Sequence, residues 1–314
     1  MDPAGVPSLT FNNGYKMPII GLGTWKSKPG EVTQAVMEAI DAGYRHFDCA
    51  YIYGNETEVG EGLRIKMDAG VVKREDLFVT SKLWNTFHRP DLVEPALKES
   101  LQKLGLTYLD LYLIHWPFAF QEGGDLLPPG PDGAIMLSDV DYLDTWSVLE
   151  RCVDRGLVRS LGLANFNSQQ VDRVLRVARV KPANLQIECN PYLLQKELVQ
   201  FCKDRGIVVT GYSPLGSPDS PYFVSGTPRV LDDPVLKQIA ARHGKSVAQV
   251  ALRWLVQRGV AVIPKSASAV RIRQNMAVFD FQLSEEEMSS VDGLDKHLRI
   301  CHRDHARNHR HYPF

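Results

Sequence analysis

The feature that most constrains this chain is an eightfold alternation of two kinds of segment. Short apolar runs recur as IIGLGTW, YRHFDCA, LFVTSKLW, LDLYLIHW, VRSLGLANF, NLQIECN, IVVTGYSPLG and VAVIPKS. Between them lie amphipathic stretches at 32–42, 56–67, 91–104, 142–155, 168–178, 196–204, 247–258 and 269–278. The runs are continuously apolar instead of strictly alternating, as strands of a parallel sheet covered on both faces must be. Eight strand–helix units in 314 residues, with no long Gly/Ser linker, predict an α/β fold, one (β/α)8 TIM-barrel domain spanning 1–314. Before them, LTFNNGYKMP sets two strand-like pieces about Asn13 and Gly14, a good two-residue turn. It predicts an N-terminal β-hairpin over 8–18 that closes the bottom of the barrel.

A doubly wound nucleotide fold is the competing architecture, and it wants G-x-G-x-x-G after the first strand. GLGTWK offers Gly21 and Gly23 but has Lys26 where the third glycine belongs. HGKS, from His243 to Ser246, resembles the end of a phosphate loop, yet Ile239 occupies the place of its first glycine. Both matches fail. Two long insertions, 117–141 and 216–233, follow the fourth and seventh strand runs and so fall on the C-terminal face, where barrels build their sites.

Charge and cysteine usage narrow the function. With 36 basic and 37 acidic residues, the chain is not built to hold nucleic acid or an anionic membrane surface. MDPAGVPSLT lacks the basic and apolar regions of a secretory signal, and no run of about 18 apolar residues suggests a span. The five cysteines are scattered and without a C-x-x-C pair, which fits reduced thiols in the cytoplasm. The sequon at Asn55 is then read as chance.

The chemistry lies in how the strand runs end. Asp48 closes HFD, Lys82 lies in VTSKLW and His115 in LYLIHW, spaced 34 and 33 residues apart, one strand–helix unit each. Any one alone would be an ordinary ion pair, turn cap or core histidine. At matching ends of consecutive parallel strands they become neighbours, and Tyr53 joins them from the loop after the second strand run. A free tyrosine, with a pKa near 10, donates poorly at neutral pH, and an adjacent ammonium should lower that value. A carboxylate beside the ammonium keeps it charged and fixed. Asp48, Lys82 and Tyr53 therefore read as a tuned general acid, with His115 able to orient a substrate oxygen. The set holds no serine or cysteine nucleophile, and Lys82 and Tyr53 stand where a divalent metal would need further carboxylates or histidines, which disfavours metal-assisted hydrolysis. Protonating an oxygen while a cofactor reduces the carbon suits carbonyl reduction.

GLGTW, FDCAYIYGNE, SKLW, LIHWP, GLANF, QIECNPY, YSPLGSP and IPKS, in this order, resemble the aldo-keto reductases, in particular the aldose and aldehyde reductase branch. The resemblance runs from Leu9 to the terminal YPF. It implies NADPH-dependent reduction of an aldehyde or ketone by a protein acting as a monomer on a small molecule. It makes Tyr53 the proton donor, tuned by Lys82 and Asp48, with His115 positioning the carbonyl. It implies that nicotinamide stacks on Tyr212 near Thr24 and Trp25, with its carboxamide on Asn165 and Gln186. Ser213, Leu215 and Ser217 would hold the pyrophosphate, and Asp219 would lie in the loop closing over it. Lys265, Ser266 and Arg271 would grip a 2′-phosphate, with Gln274 and Asn275 near adenine, which favours NADPH over NADH. Two departures are Ala164, where relatives usually have serine, and Gln274, where they usually have glutamate. Each predicts a somewhat weaker hold on the same cofactor.

Trp25, Trp84, Trp116, Phe118 and Phe120 are expected to make an aromatic substrate pocket. The tail from 293 to 314 is unusual, with five histidines (297, 302, 305, 309, 311) and four arginines (299, 303, 307, 310). Nothing organises those histidines as metal ligands, so no metal is expected. The tail is instead expected to wall the pocket through Cys301, His302 and Arg303, favouring polar or anionic groups distal to the carbonyl. Two other readings remain on the same barrel: a catalytically weak cofactor-binding regulatory subunit, like channel-associated members of the superfamily, or a recruited structural protein, like reductase-related lens crystallins.

Overall fold

In a computed structural model, residues 5–130 and 134–314 are described. Residues 1–4, the start of the segment read for a secretory signal, and 131–133, within the 117–141 insertion, lie outside them. An antiparallel hairpin of β1 (Ser8–Thr10) and β2 (Lys16–Pro18) comes first. Eight parallel strands follow: β3 (Leu22–Gly23), β4 (His46–Asp48), β5 (Phe78–Leu83), β6 (Leu109–Ile114), β9 (Val158–Ala164), β10 (Asn184–Glu188), β11 (Val208–Tyr212) and β12 (Ala261–Val262). They pair in sequence order, and parallel bridges from Ile20 to Val262 and from Gly23 to Lys265 join the first strand to the last. That closes the barrel. Gly23 is needed at this seam, because a Cβ there would stand 2.6 Å from the Ile263 carbonyl oxygen.

All eight strand runs and the eight amphipathic stretches have counterparts. The helices are α1 (Val32–Asp41), α2 (Glu56–Asp68), α3 (Pro90–Leu104), α4 (Tyr142–Asp154), α5 (Ser168–Val177), α6 (Lys196–Lys203), α8 (Val247–Gln257) and α9 (Ala269–Met276). Two further helices were not expected, α7 (Pro234–His243) and α10 (Glu285–Asp292). Their punctuation is present in the sequence. Asp233 caps α7 with Pro234 at its first turn and left-handed Gly244 past its end, while Ser284 and Glu287 form a reciprocal capping box on α10.

The hairpin lies against the N-terminal ends of the strands, as expected. The Asn13 amide donates to Ser160 Oγ at 3.0 Å, and Asn12 donates to the Pro182 carbonyl at 2.9 Å. At the other end, the 117–141 insertion folds back as a short ribbon, β7 (Ala119–Phe120) paired with β8 (Leu137–Ser138). The core binds strands to helices, and a second apolar cluster of Trp84, Trp116, Phe118, Phe120 and Ala306 lies beneath the tail. Among the described residues no helix is long and apolar enough to cross a membrane.

Candidate active site

Parallel register brings the strand ends together. Asp48 ends β4, Lys82 lies near the end of β5, and His115 follows β6 directly. Tyr53 closes a single 3-10 turn after β4. Lys82 Nζ donates to Asp48 Oδ1 at 2.5 Å, to the Cys49 carbonyl at 2.8 Å and to the Tyr53 hydroxyl at 3.3 Å. The other carboxylate oxygen of Asp48 accepts from Gln186 Nε2 at 2.7 Å. Asp48 and Lys82 are both almost completely buried. An unpaired charge there would cost several kcal/mol, and the direct contact with added hydrogen bonds is what makes the placement tolerable.

The protonation chemistry differs in one respect from the sequence expectation. Burial pushes the Tyr53 hydroxyl up to about 12, outweighing the downward pull of Lys82. Burial also draws Lys82 down, but Asp48 and Tyr53 together more than reverse it, so the ammonium keeps its proton. His115 is pushed well below its usual range, first by burial and then by Lys82 and Arg303, leaving a neutral imidazole whose buried Nδ1 has no hydrogen-bond partner among the described residues. Its ring lies nearly perpendicular to that of Tyr53, with centroids 5.9 Å apart. The site therefore holds one fixed cation, one fixed anion, and two neutral groups able to donate a proton or a hydrogen bond.

Asp48, Tyr53 and His115 open into a cavity of about 850 Å³, with Lys82 buried behind them. Thr24, Trp25, Asn165, Gln186, Tyr212, Ser213, Leu215, Ser217, Asp219, Lys265, Ser266, Arg271, Gln274 and Asn275 all line it, so every expected cofactor residue faces one space. Asn165 donates to the His115 carbonyl at 2.9 Å and accepts from the Tyr212 hydroxyl at 2.7 Å, tying three strand ends together. Of the seven non-glycine residues with left-handed backbone among the described residues, five line the cavity: Lys26, Asn165, Ser213, Ser217 and Arg303. Strained backbone concentrated in this way marks a functional site.

The expected substrate residues divide. Trp25, His115, Trp116, Cys301 and Arg303 line the cavity, but Trp84, Phe118, Phe120 and His302 do not. Trp84, Phe118 and Phe120 are packed into the second apolar cluster, and the Trp84 indole N–H is taken by the Leu126 carbonyl at 2.6 Å. They support the wall from behind. The Tyr312 hydroxyl donates to the His302 carbonyl at 2.7 Å, tying that residue's main chain back to the tail. Tyr51 faces outward, its hydroxyl donating to Glu99 on α3 at 2.8 Å.

Sequence reasoning missed Lys26 and Tyr222. Lys26 donates to the main-chain oxygen of Asp219, spanning the cavity mouth between loops 193 residues apart. Tyr222 lines the cavity from the insertion after β11. Neither carries a local signal, because each matters only through a neighbour brought in by barrel closure.

Fold and site together define a closed (β/α)8 barrel with a buried ionisable cluster at its C-terminal mouth, the enzyme form of this architecture. The chain belongs to the aldo/keto reductase family, whose sequence model matches residues 19–296. It is 54% identical over 297 residues to aldo-keto reductase family 1 member A1 of Gallus gallus, covering 94% of this chain and 91% of that one. To the protein of the same name from Mus musculus it is 54% identical over 293 residues, covering 93% and 90%. The solved aldose reductase of Schistosoma japonicum superposes with a TM-score of 0.93 at 47% identity, covering 98% of both chains.

Proposed function

We propose that this protein reduces the carbonyl group of an aldehyde or ketone to the alcohol with NADPH. The carrying observation is Lys82 Nζ, buried and hydrogen-bonded at once to Asp48 and Tyr53, both of which line the cavity. Its relatives are named as reductases, which fits that chemistry.

The lining suits a phosphorylated dinucleotide. The cavity runs from Tyr53 and His115 past Tyr212 to Lys265 and Arg271, and neither of these two cations has a carboxylate partner among the described residues. Tyr212 offers a flat face for nicotinamide beside Thr24 and Trp25, and Asn165 and Gln186 offer amides for its carboxamide. Ser213, Leu215 and Ser217 would hold the pyrophosphate beneath the Asp219 loop. Lys265, Ser266 and Arg271 would hold a 2′-phosphate, and Gln274 and Asn275 the adenine. When bound, NADPH supplies the hydride to the carbonyl carbon.

The chain's own residues handle the oxygen. His115, kept neutral, hydrogen-bonds the carbonyl oxygen and aligns it. Tyr53, still protonated at neutral pH because of its burial, donates its proton to that oxygen as negative charge develops. Lys82 stabilises the phenolate left behind, and Asp48 holds the ammonium in place. Arg303, unpaired by any carboxylate among the described residues, offers charge for an anionic group at the far end of the substrate. On this reading the only partner is a small carbonyl compound. The protein acts as a monomer, and five buried free thiols suit the reducing cytoplasm.

The test is NADPH oxidation with a panel of aldehydes. Tyr53→Phe should cut turnover by about 10²–10⁴-fold while leaving NADPH binding intact. Near wild-type turnover in that variant would overturn the assignment. Tight NADPH binding with no turnover by the wild type would instead favour a cofactor-binding regulatory subunit.

A further inference from the structure

Glu188, the last residue of β10, is completely buried, yet among the described residues no cation lies within ion-pair distance of it. Its two oxygens go to the tail. Oε1 accepts the Ile300 amide at 2.9 Å, and Oε2 accepts the Cys301 amide at 2.8 Å. Burial raises its affinity for a proton, and the two amides with Arg299 pull against that. A carboxylate without a cation is an expensive anchor, so its value lies in what it fixes.

It fixes the tail where the tail meets the substrate cavity. Cys301 lines the cavity, and two residues later Arg303 does too. The Arg303 backbone is left-handed at φ 56°, and its guanidinium stands over three rings, 5.3 Å from Trp84, 5.9 Å from Trp116 and 5.4 Å from Tyr222. Main chain clamped at Cys301 leaves only two residues in which the approach of Arg303 can vary. Across the sheet, Glu188 pairs in register with Tyr212 of β11, so the clamp stands beside the expected nicotinamide platform.

We propose that Glu188 is a positioning residue that sets substrate specificity, holding the tail through two amides so that Arg303 meets the anionic end of a carbonyl substrate. This rests on the reading of Arg303 given above. A purely structural anchor would affect all substrates alike, whereas a positioning clamp should act on charged ones.

The experiment compares 4-carboxybenzaldehyde with benzaldehyde, a pair differing by one carboxylate, in steady-state NADPH oxidation. Glu188→Gln puts an amide N–H against one of the two main-chain donors. It should raise the KM for 4-carboxybenzaldehyde about tenfold and leave kcat, the benzaldehyde KM and the NADPH KM within about twofold. Glu188→Asp, which keeps the charge and draws it back by one methylene, should show the same split in milder form. Arg303→Ala should also raise the 4-carboxybenzaldehyde KM, and the Glu188→Gln/Arg303→Ala double variant should lose no more than Arg303→Ala alone. Equal losses on both aldehydes, or additive losses in the double variant, would overturn the positioning role. An Arg303→Ala variant that handles both aldehydes like wild type would overturn the Arg303 reading and this proposal with it. A wild type that reduces neither aldehyde would count against carbonyl reduction itself. Benzaldehyde turnover in each variant reports that it has folded.

Discussion

Asp48 and His115 reach the cavity from the ends of barrel strands, with Lys82 buried on the strand between them, whereas Cys301 and Arg303 reach it on a tail with one short 3-10 turn. The first group is held by hydrogen-bonded register on both sides. The second is held by isolated contacts: Glu188 at its start, then Gln170 to the His311 carbonyl at 2.9 Å and Asn167 to the Pro313 carbonyl at 3.2 Å. The barrel positions its chemistry as a consequence of folding. The tail wall is docked onto that finished frame, so it should be the easier part to perturb and the part that tunes substrate choice.

The largest expected effect lies on the rigid side. Lys82→Ala removes the cation next to a buried carboxylate, leaving Asp48 with Gln186 as its remaining side-chain donor. Breaking a buried pair from one side costs about 3–5 kcal/mol, and loss of the group that stabilises the phenolate should lower kcat by about 10²–10⁴-fold. Chemical denaturation and turnover would be measured together. A stable, active Lys82→Ala would break the contrast between frame and tail, since it would mean that register alone does not define the chemistry.

This same contrast sets how much could be read from the sequence. Strand ends recur at a spacing of about one strand–helix unit, so Asp48, Lys82 and His115 fall into place once the alternation is seen. The two further helices, α7 and α10, have legible caps at Asp233 and Ser284 but lie outside the eightfold pattern, so the alternation does not predict them. Trp84, Phe118 and Phe120 follow strand ends as a lining residue would, yet they turned inward because the insertion and the tail give them a second core. Glu188 and Lys26 act across 112 and 193 residues, distances at which no local pattern carries a signal. What barrel periodicity dictates was legible; what docking dictates was not.

The next effect tests the tail by pH. Burial pushes His88 down to about 3 and His311 down to about 4, with His309 and His311 adding to the effect on His88. Asp141, which caps the start of α4, pulls His311 back up, while Arg310, His309 and Arg173 on α5 push it down. In a released tail the His311 imidazole would regain an ordinary value near 6.5, and His88, which follows β5, would lose the two tail histidines that help hold it down. Below that pH the released form binds more protons, so docking weakens as pH falls from about 6.5 toward the docked values. Amide hydrogen exchange between pH 7.5 and 5.5 should show residues 300–314 losing protection before β5 and β6. Simultaneous loss in both regions would show that the tail is as much a part of the frame as the strands.

Arg271→Ala carries a smaller expected effect, confined to the far end of the cavity. Loss of a charge-assisted contact to a 2′-phosphate should raise the KM for NADPH about 10–100-fold, with little change for NADH. Steady-state kinetics with both cofactors read this directly, and equal shifts would remove the phosphate role from Arg271.

The smallest effect sharpens the comparison from the strand side. Ala164 ends β9 beside Asn165 and is buried, so a side chain added there would be placed by the same kind of strand register that places Asp48 and Lys82. Ala164→Ser adds one hydroxyl, and one hydrogen bond from it to the carboxamide would be worth about 0.5–1.5 kcal/mol. The expected result is a fall of roughly 2–10-fold in the NADPH Kd, with unchanged discrimination between 4-carboxybenzaldehyde and benzaldehyde. Fluorescence titration would give the Kd, and the two aldehydes would give the discrimination. A Kd that does not fall would mean that β9 does not deliver its side chain to the nicotinamide end. A change in aldehyde preference would mean that frame and tail are coupled at this point, and that the strand ends set more of the substrate choice than their distance from Arg303 implies.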